Sequence, residues 1–364
     1  RTVADAAAVH EGLVRQVHQV VHHQAVVALH ADHLAVAGPV GVVVPVQVGH
    51  QRRSNPRYLH ARDKLVREAR LLGRITNATG QWNRAVAPDL GAPDRYLIPP
   101  DRLSQFGFKD MHQFRNWRWY KGLGGGPIVD LGSHQIDIYN WFLGAAPSHV
   151  MASGGLLYHD PATHEWYDTV MVVYDYDTPA GPVKAFYQTQ TTNGSQGYFE
   201  SFMGDQGTLL ISESELNYAG RLYRDPNAPA WDDWVQRGYI SAPELQEVRA
   251  PGAEGAVADV RESVSPDEHR VPVTLRDPYH QPHLQNFFDA IRGTAKLNCP
   301  PEIGYESAVE LADGEIAMAA PAEQQRVVRL ELEPSRERRD GFAELARTRL
   351  RNAEVDDQLV VPRQ

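Results

Sequence analysis

The densest run of chemically capable side chains lies between Asn116 and Asp137. Asn116-Trp117-Arg118-Trp119-Tyr120-Lys121 leads to Gly124-Gly125-Gly126-Pro127-Ile128-Val129-Asp130-Leu131-Gly132-Ser133-His134-Gln135-Ile136-Asp137. Three glycines ahead of a helix leave backbone N–H groups unobstructed and let a ligand approach closely. Asp130 and His134 are four residues apart, so a helix puts them on one face. A carboxylate beside an imidazole suits general acid/base work: the carboxylate orients the ring, and the ring exchanges a proton near neutral pH. Asp137, three past His134, is within reach of the same ring, and Arg118 suits an anionic or hydroxyl group. The same spacing also fits a plain structural role, with Asp130 at the helix N-terminus and His134 packed in the core.

The surrounding sequence supplies the elements that would hold this cluster. Asn55-Pro56 is a good helix start, Leu65, Ala69 and Leu72 share a face, and Gly73 is a stop. Ile75–Trp82 reads as a strand. Residues 84–126 read as a long Pro-, Gly- and Asp-rich excursion with short helical pieces, and Val129–Leu143 as a helix ending at Gly144. Strands follow at His149–Ala152, Thr169–Tyr176, Val183–Thr191, Tyr198–Phe202 and Thr208–Ser212, separated by turn residues. Their close succession predicts an open, mostly antiparallel sheet. Two further helices are expected over His283–Arg292 and Glu302–Ala320, and a charged tail begins at Glu333.

The first fifty residues differ in kind. Residues 1–53 hold no Ser, Lys, Ile, Asn, Met, Phe, Tyr or Trp, and the first 50 contain 15 Val and 7 His. Without aromatic filler such a segment packs poorly. It reads as an odd half-domain, as a wrong-frame stretch joined to an intact downstream chain, or, through His18 and His22 on a helix face, as part of a metal site. Val42–Val48 reads as a buried strand interrupted by Pro45.

Composition narrows the classes. The 364 residues carry 36 Lys+Arg against 46 Asp+Glu, a net charge of −10, which argues against nucleic acid as a partner. Cys299 is the only cysteine, which excludes an intrachain disulfide and a Cys-based zinc site. No apolar run approaches the ~20 residues of a membrane span, and no export signal is visible, so the default expectation is a cytoplasmic protein away from membranes.

Four stretches in order resemble the Gfo/Idh/MocA oxidoreductases. Gln47-Val48-Gly49-His50-Gln51-Arg52-Arg53-Ser54-Asn55-Pro56 resembles the end of that family's nucleotide-binding domain, and Gly126–Asp137 resembles its second active-site motif. Met203-Gly204-Asp205-Gln206-Gly207-Thr208-Leu209 and Phe287-Phe288-Asp289-Ala290-Ile291-Arg292-Gly293, with Leu297-Asn298-Cys299-Pro300, resemble its later landmarks. The resemblance covers about residues 46–330. It implies an α/β (α+β) architecture: a Rossmann domain binding NAD or NADP, then a domain with an open, mostly antiparallel sheet and helices on one face that packs against another subunit as a homo-oligomer. It further implies hydride transfer between the nicotinamide and a sugar or cyclitol hydroxyl, with His134 exchanging the hydroxyl proton and Asp130 orienting His134 or the substrate. Arg118 and Asp137 are then the expected substrate-binding residues.

Two family features are missing from the sequence: the Glu-Lys-Pro motif and the G-x-G-x-x-G phosphate turn. About fifty residues ahead of Gln47 are too few for a doubly wound domain. The expected organisation is therefore a remnant of the dinucleotide domain over 1–51, a substrate and oligomerisation domain over 52–332, and a charged tail over 333–364. A sugar-type oxidoreductase, inactive in this chain if the remnant cannot hold the cofactor, is the first reading. A non-catalytic sugar-binding or assembly module is the second, and a metal-dependent hydrolase is the third.

Overall fold

A computed structural model describes residues 45–214, 220–243, 267–308 and 329–331. The first helix, α1, begins as α-helix at Pro56–His60 and continues with wider, π-type bonding over Ala61–Glu68. Asn55 caps it by accepting from the Arg57 N–H, and Pro56 occupies the first turn, where its missing N–H costs nothing. Strand β1 (Ile75–Asn83) follows. The excursion after it carries short helices α2 (Pro100–Gln105) and α3 (Met111–Arg115) and a 3-10 turn at Trp117–Trp119. Helix α4 opens with a π-type turn at Ile128–Gly132 and runs as α-helix over Ser133–Leu143. Gly144 ends it at φ +69°, a left-handed cap that glycine adopts without a Cβ penalty.

Strands β2 (Pro147–Gly155), β3 (Thr169–Thr178), β4 (Gly181–Gln190), β5 (Tyr198–Gly204), β6 (Gly207–Ile211) and β7 (Arg221–Arg224) come next. Helix α5 (Asp232–Gln236), β8 (Asp267–Arg270), α6 (Gln281–Ile291), a helical stretch at 301–308 and β9 (Arg329–Glu331) complete the described elements. The strands form one sheet in the order β8-β7-β6-β5-β1-β4-β3-β2-β9. Of its pairings only β1 with β4 is parallel. The predicted open, mostly antiparallel sheet is thus the observed one, with β1 inserted between β5 and β4 rather than at an edge.

Alternation along the strands gives the sheet one apolar face. Val170, Val172, Tyr174 and Tyr176 of β3 and Val183, Ala185 and Tyr187 of β4 are buried. Helices α1 and α4 cover that face. Phe142 stacks on Phe202 of β5 at 4.8 Å, Tyr58 meets Phe142 edge-on at 6.4 Å, and the Tyr139 hydroxyl donates to the Phe186 carbonyl. Met171, Lys184 and Met203 point outward from the opposite face and are exposed.

Two expectations are corrected here. Residues 45–48 are not in a strand; the Val48 N–H instead donates to the Cys299 carbonyl at 2.9 Å, because the segment bridges toward the chain's later helices rather than joining the sheet. Of the helix expected over Glu302–Ala320, the part to residue 308 is helical, and the rest lies outside the described residues. Val42–Val44, His18, His22 and the tail also lie outside them.

The join between α1 and β5 is tight. A Cβ on Gly204 would sit 1.9 Å from the Leu72 carbonyl oxygen and 3.0 Å from that of Arg74. Both neighbours are backbone and cannot rotate away. Gly204→Ala is expected to cost about 1–3 kcal/mol, the usual penalty of overpacking, read as a lower urea midpoint with an unchanged slope.

Candidate functional site

The glycines at 124–126 and the first turns of α4 wall a cavity of about 310 Å³, lined by Val48, Gly49, His50, Trp117, Arg118, Val129, Asp130, Ser133 and His134 among others. Gly126 enters the helix at φ +68°, and a Cβ there would stand 2.9 Å from the Trp166 ring. Only glycine meets both demands. One turn later Gly132 lies flush on Tyr187, where a Cβ would be 2.8 Å from the ring. The widened turn between these glycines carries Asp130 and delivers His134 just beyond it. Such π-type turns recur at functional sites.

His134 and Asp130 therefore face one cavity, as their spacing predicts. They are not partners, however. The Arg118 Nε donates to Asp130 Oδ1 at 3.0 Å, and Arg84 Nη1 lies 3.9 Å from Oδ2. His134 sits between the rings of Trp82 (5.4 Å) and His50 (5.7 Å), and its Nδ1 has no hydrogen-bond partner. Burial, and then the positive charge of Arg52 and neighbouring His50, push its pKa well below the ordinary value. The ring is thus neutral at pH 7. Of the two roles expected of Asp130, orienting His134 or orienting the substrate, the geometry leaves the second open, since the carboxylate is engaged by Arg118 and not by His134.

Asp137 is placed elsewhere. It is almost fully buried and is not part of the cavity wall. Arg53 Nε donates to both of its oxygens at 2.9 Å, Arg53 Nη2 lies at 2.8 Å, and His50 Nδ1 at 3.5 Å. Burial alone would raise this carboxyl, but His50 and Arg53 outweigh it and hold the pKa at about 2. Its expected role at the substrate gives way to that of an anchor beneath the site, since α4 turns its side chain toward the segment 50–53. Arg118 lies at the cavity wall.

Several residues of the site carry no signal of periodicity in the sequence. His50 lines the cavity from a loop. Arg52 lies behind it, its guanidinium 5.3 Å from the Trp82 ring centre and 5.5 Å from that of Tyr198, paired with Glu200 and, at 3.3 Å, with Glu213. Tyr58 donates to Glu200 at 2.5 Å. The run His50-Gln51-Arg52-Arg53 ahead of a capped helix was the available hint, because ionisable side chains there must find partners once buried.

A second, smaller chamber of about 110 Å³ lies on the other side of Arg118 and Asp130, which line both. Its wall includes Arg84, Leu131, Trp166 and two stacked imidazoles, His159 and His164, whose ring centres are 4.1 Å apart, with Trp119 stacked on His164 at the same spacing. Burial and the adjacent His159 hold His164 at about 4, so it is uncharged at neutral pH. Among the described residues, no group of three or more His, Cys, Asp or Glu could hold a metal ion, and no helix is long and apolar enough to cross a membrane.

Comparison with known proteins agrees with this fold. Residues 60–210 match the model of the GFO/IDH/MocA C-terminal domain. No curated protein matches the sequence. Among solved structures, the aldose-aldose oxidoreductase from Caulobacter crescentus, complexed with glycerol, aligns with TM-score 0.50 at 14% identity, covering 79% of this chain and 64% of that one. A Thermotoga maritima protein described as an oxidoreductase aligns with TM-score 0.50 at 16% identity, with the same coverage of 79% and 64%. A levoglucosan dehydrogenase in complex with NADH and levoglucosan aligns with TM-score 0.47 at 16% identity, covering 76% and 64%. The chain spans just under two thirds of the length of these relatives. Residues 60–210 thus match the GFO/IDH/MocA C-terminal domain, and the fold around them resembles that of solved oxidoreductases.

Proposed function

We propose that the cavity at His134 receives a hydroxyl of a sugar or cyclitol and that His134 takes its proton, as the substrate half of a hydride-transfer site. The observation that carries this reading is a neutral, half-buried imidazole with an unpartnered Nδ1 on the wall of a roomy cavity that Asp130, Arg118, Ser133 and His50 also line. Oxidising an alcohol takes a hydride from carbon and a proton from oxygen, and a neutral imidazole is the group suited to the second task. Arg118 and Asp130 would orient the remaining hydroxyls. The resemblance of the fold to an aldose-aldose oxidoreductase supports a carbohydrate as the substrate class.

A nicotinamide dinucleotide, NAD or NADP, is the proposed acceptor, but the described residues do not fit its pyrophosphate. No strand precedes α1 among them, so they contain no strand–glycine turn–helix unit ahead of the site. No step is derived through the dinucleotide. A second reading is a non-catalytic sugar-binding or assembly module. In either reading the outward face of the sheet, with Met171 and Met203, is the surface proposed to meet a second copy.

The test is titration of the chain with neutral sugars and cyclitols, and separately with NADH and NADPH, followed by tryptophan fluorescence from Trp82 and Trp117. Saturable sugar binding that weakens in His134→Ala supports the site. Absence of sugar binding sinks it. Dinucleotide binding selects the oxidoreductase reading, in which His134→Ala should lower kcat by about 10²–10⁴-fold; sugar binding without it selects the module.

A further inference from the structure

The wall between the two chambers carries more positive than negative charge, and both cations are poised in the same way. Arg84 follows directly on β1, with its guanidinium 5.2 Å from the Trp82 ring centre. Arg118 comes from the 3-10 turn of the excursion, with its guanidinium 4.4 Å from the Trp117 ring centre. Each is braced on an indole, so little freedom remains to be lost on binding. Their side chains are 49% and 50% exposed, and they share one carboxylate, that of Asp130. Only the Arg118 contact is a hydrogen bond; Arg84 stands off at 3.9 Å.

The other charges near the two chambers are already engaged: Asp168, on the wall of the smaller one, is buried and accepts from the backbone N–H groups of Leu157, Tyr158 and His159. Arg53 is matched by Asp137, and Arg52 by Glu200 and Glu213. The N-terminus of α4, entered through Gly124–Gly126 at the cavity wall, adds the positive end of a long helix. At Asp130 itself two guanidiniums therefore meet one carboxylate. Two planar guanidiniums offer paired donors that a single carboxylate leaves partly unused.

Resting on the sugar-site reading above, we infer that the preferred ligand is an anionic sugar, with its ring in the larger cavity at His134 and its acidic group held between Arg84 and Arg118. A planar carboxylate, as in a uronic or aldonic acid, matches the guanidinium fork. A sugar phosphate shares the charge but not the planarity, so it serves as the comparison. Asp130 competes with the ligand for the two arginines, and so sets how strongly the charge is felt.

The experiment is calorimetric titration of the full chain with glucose, glucuronate and glucose 6-phosphate at low salt. Glucuronate is expected to bind about tenfold or more tighter than glucose, as charge-assisted pairs predict, and tighter than the phosphate. The glucuronate-to-glucose affinity ratio should fall about fivefold in Arg84→Gln and in Arg118→Gln, rise in Asp130→Asn, and shrink as salt is added. An unchanged circular dichroism spectrum and urea midpoint show that the arginine variants are folded. Equal affinity for glucose and glucuronate overturns the anion preference while leaving the sugar site standing. Tighter binding of the phosphate than of glucuronate overturns the carboxylate assignment. Binding of none of the three overturns both.

Discussion

Replacing Arg52 with methionine is expected to cost about 3–5 kcal/mol of stability near pH 8, the price of leaving buried charge without its partner. Arg52 and Glu200 are both essentially inaccessible to water, and Glu213 nearly so. The guanidinium also packs against Trp82 and Tyr198, so methionine keeps much of the apolar contact while removing the charge. The cost should depend on pH. Burial, offset by Arg52 and Tyr58, raises Glu200 to about 7. A carboxyl raised above its unfolded value stabilises most below that value, near pH 4, and loses the contribution as pH rises through 7. Without Arg52 its anion is less tolerated still, so the variant's deficit grows between pH 5 and pH 8. Urea denaturation followed by circular dichroism at both pH values checks this; a midpoint shift of about 1 M or more is expected at pH 8. An equal shift at both would mean that packing, not charge, supplies Arg52's contribution. Because Trp82 touches both Arg52 and His134, the variant is also expected to disturb the cavity.

Much of this molecule is legible in local sequence. The strands over Thr169–Thr178 and Gly181–Gln190 announce themselves by alternation, and the Gly144 stop by its place after an apolar helix, because these signals are set by neighbours along the chain. The four-residue spacing of Asp130 and His134 likewise survives into one shared cavity. What the spacing does not contain is who else arrives there. Arg118 reaches Asp130 from 12 residues upstream, Arg84 from the end of a central strand, and His50 from a loop next to Val48, which bonds the Cys299 carbonyl. The same limit explains the valine run: Val46 and Val48 have strand propensity but no partner strand, and Pro45 offers no N–H to a ladder. The parallel pairing of β1 with β4 lies beyond local signals for the same reason, since Asn77 and Lys184 meet only when the whole sheet is assembled.

Asp137→Asn is expected to produce a smaller loss, about 2–3 kcal/mol at neutral pH, because Arg53 is left buried beside a neutral amide. The contrast with Arg52 lies in the pH dependence. Asp137 is held at about 2, below the ~3.9 of an unfolded aspartate. A depressed carboxyl contributes fully above its unfolded value and loses that contribution as pH falls toward 2. The variant should therefore be uniformly weaker from pH 5 to 8 and should converge on the parent between about pH 4 and pH 2. Thermal unfolding across that range reads the convergence directly. A deficit that persists unchanged at pH 2 would show that the amide clashes sterically and that the ion pair contributes nothing. A functional consequence follows from the geometry, since His50 contacts Asp137 on one side and the His134 ring on the other. Freed from the carboxylate, His50 loses its orientation at the cavity wall, so sugar affinity should fall in Asp137→Asn even under conditions where the variant is fully folded. Unchanged affinity there would confine Asp137 to holding the fold and would leave His134 positioned by α4 and Trp82 alone.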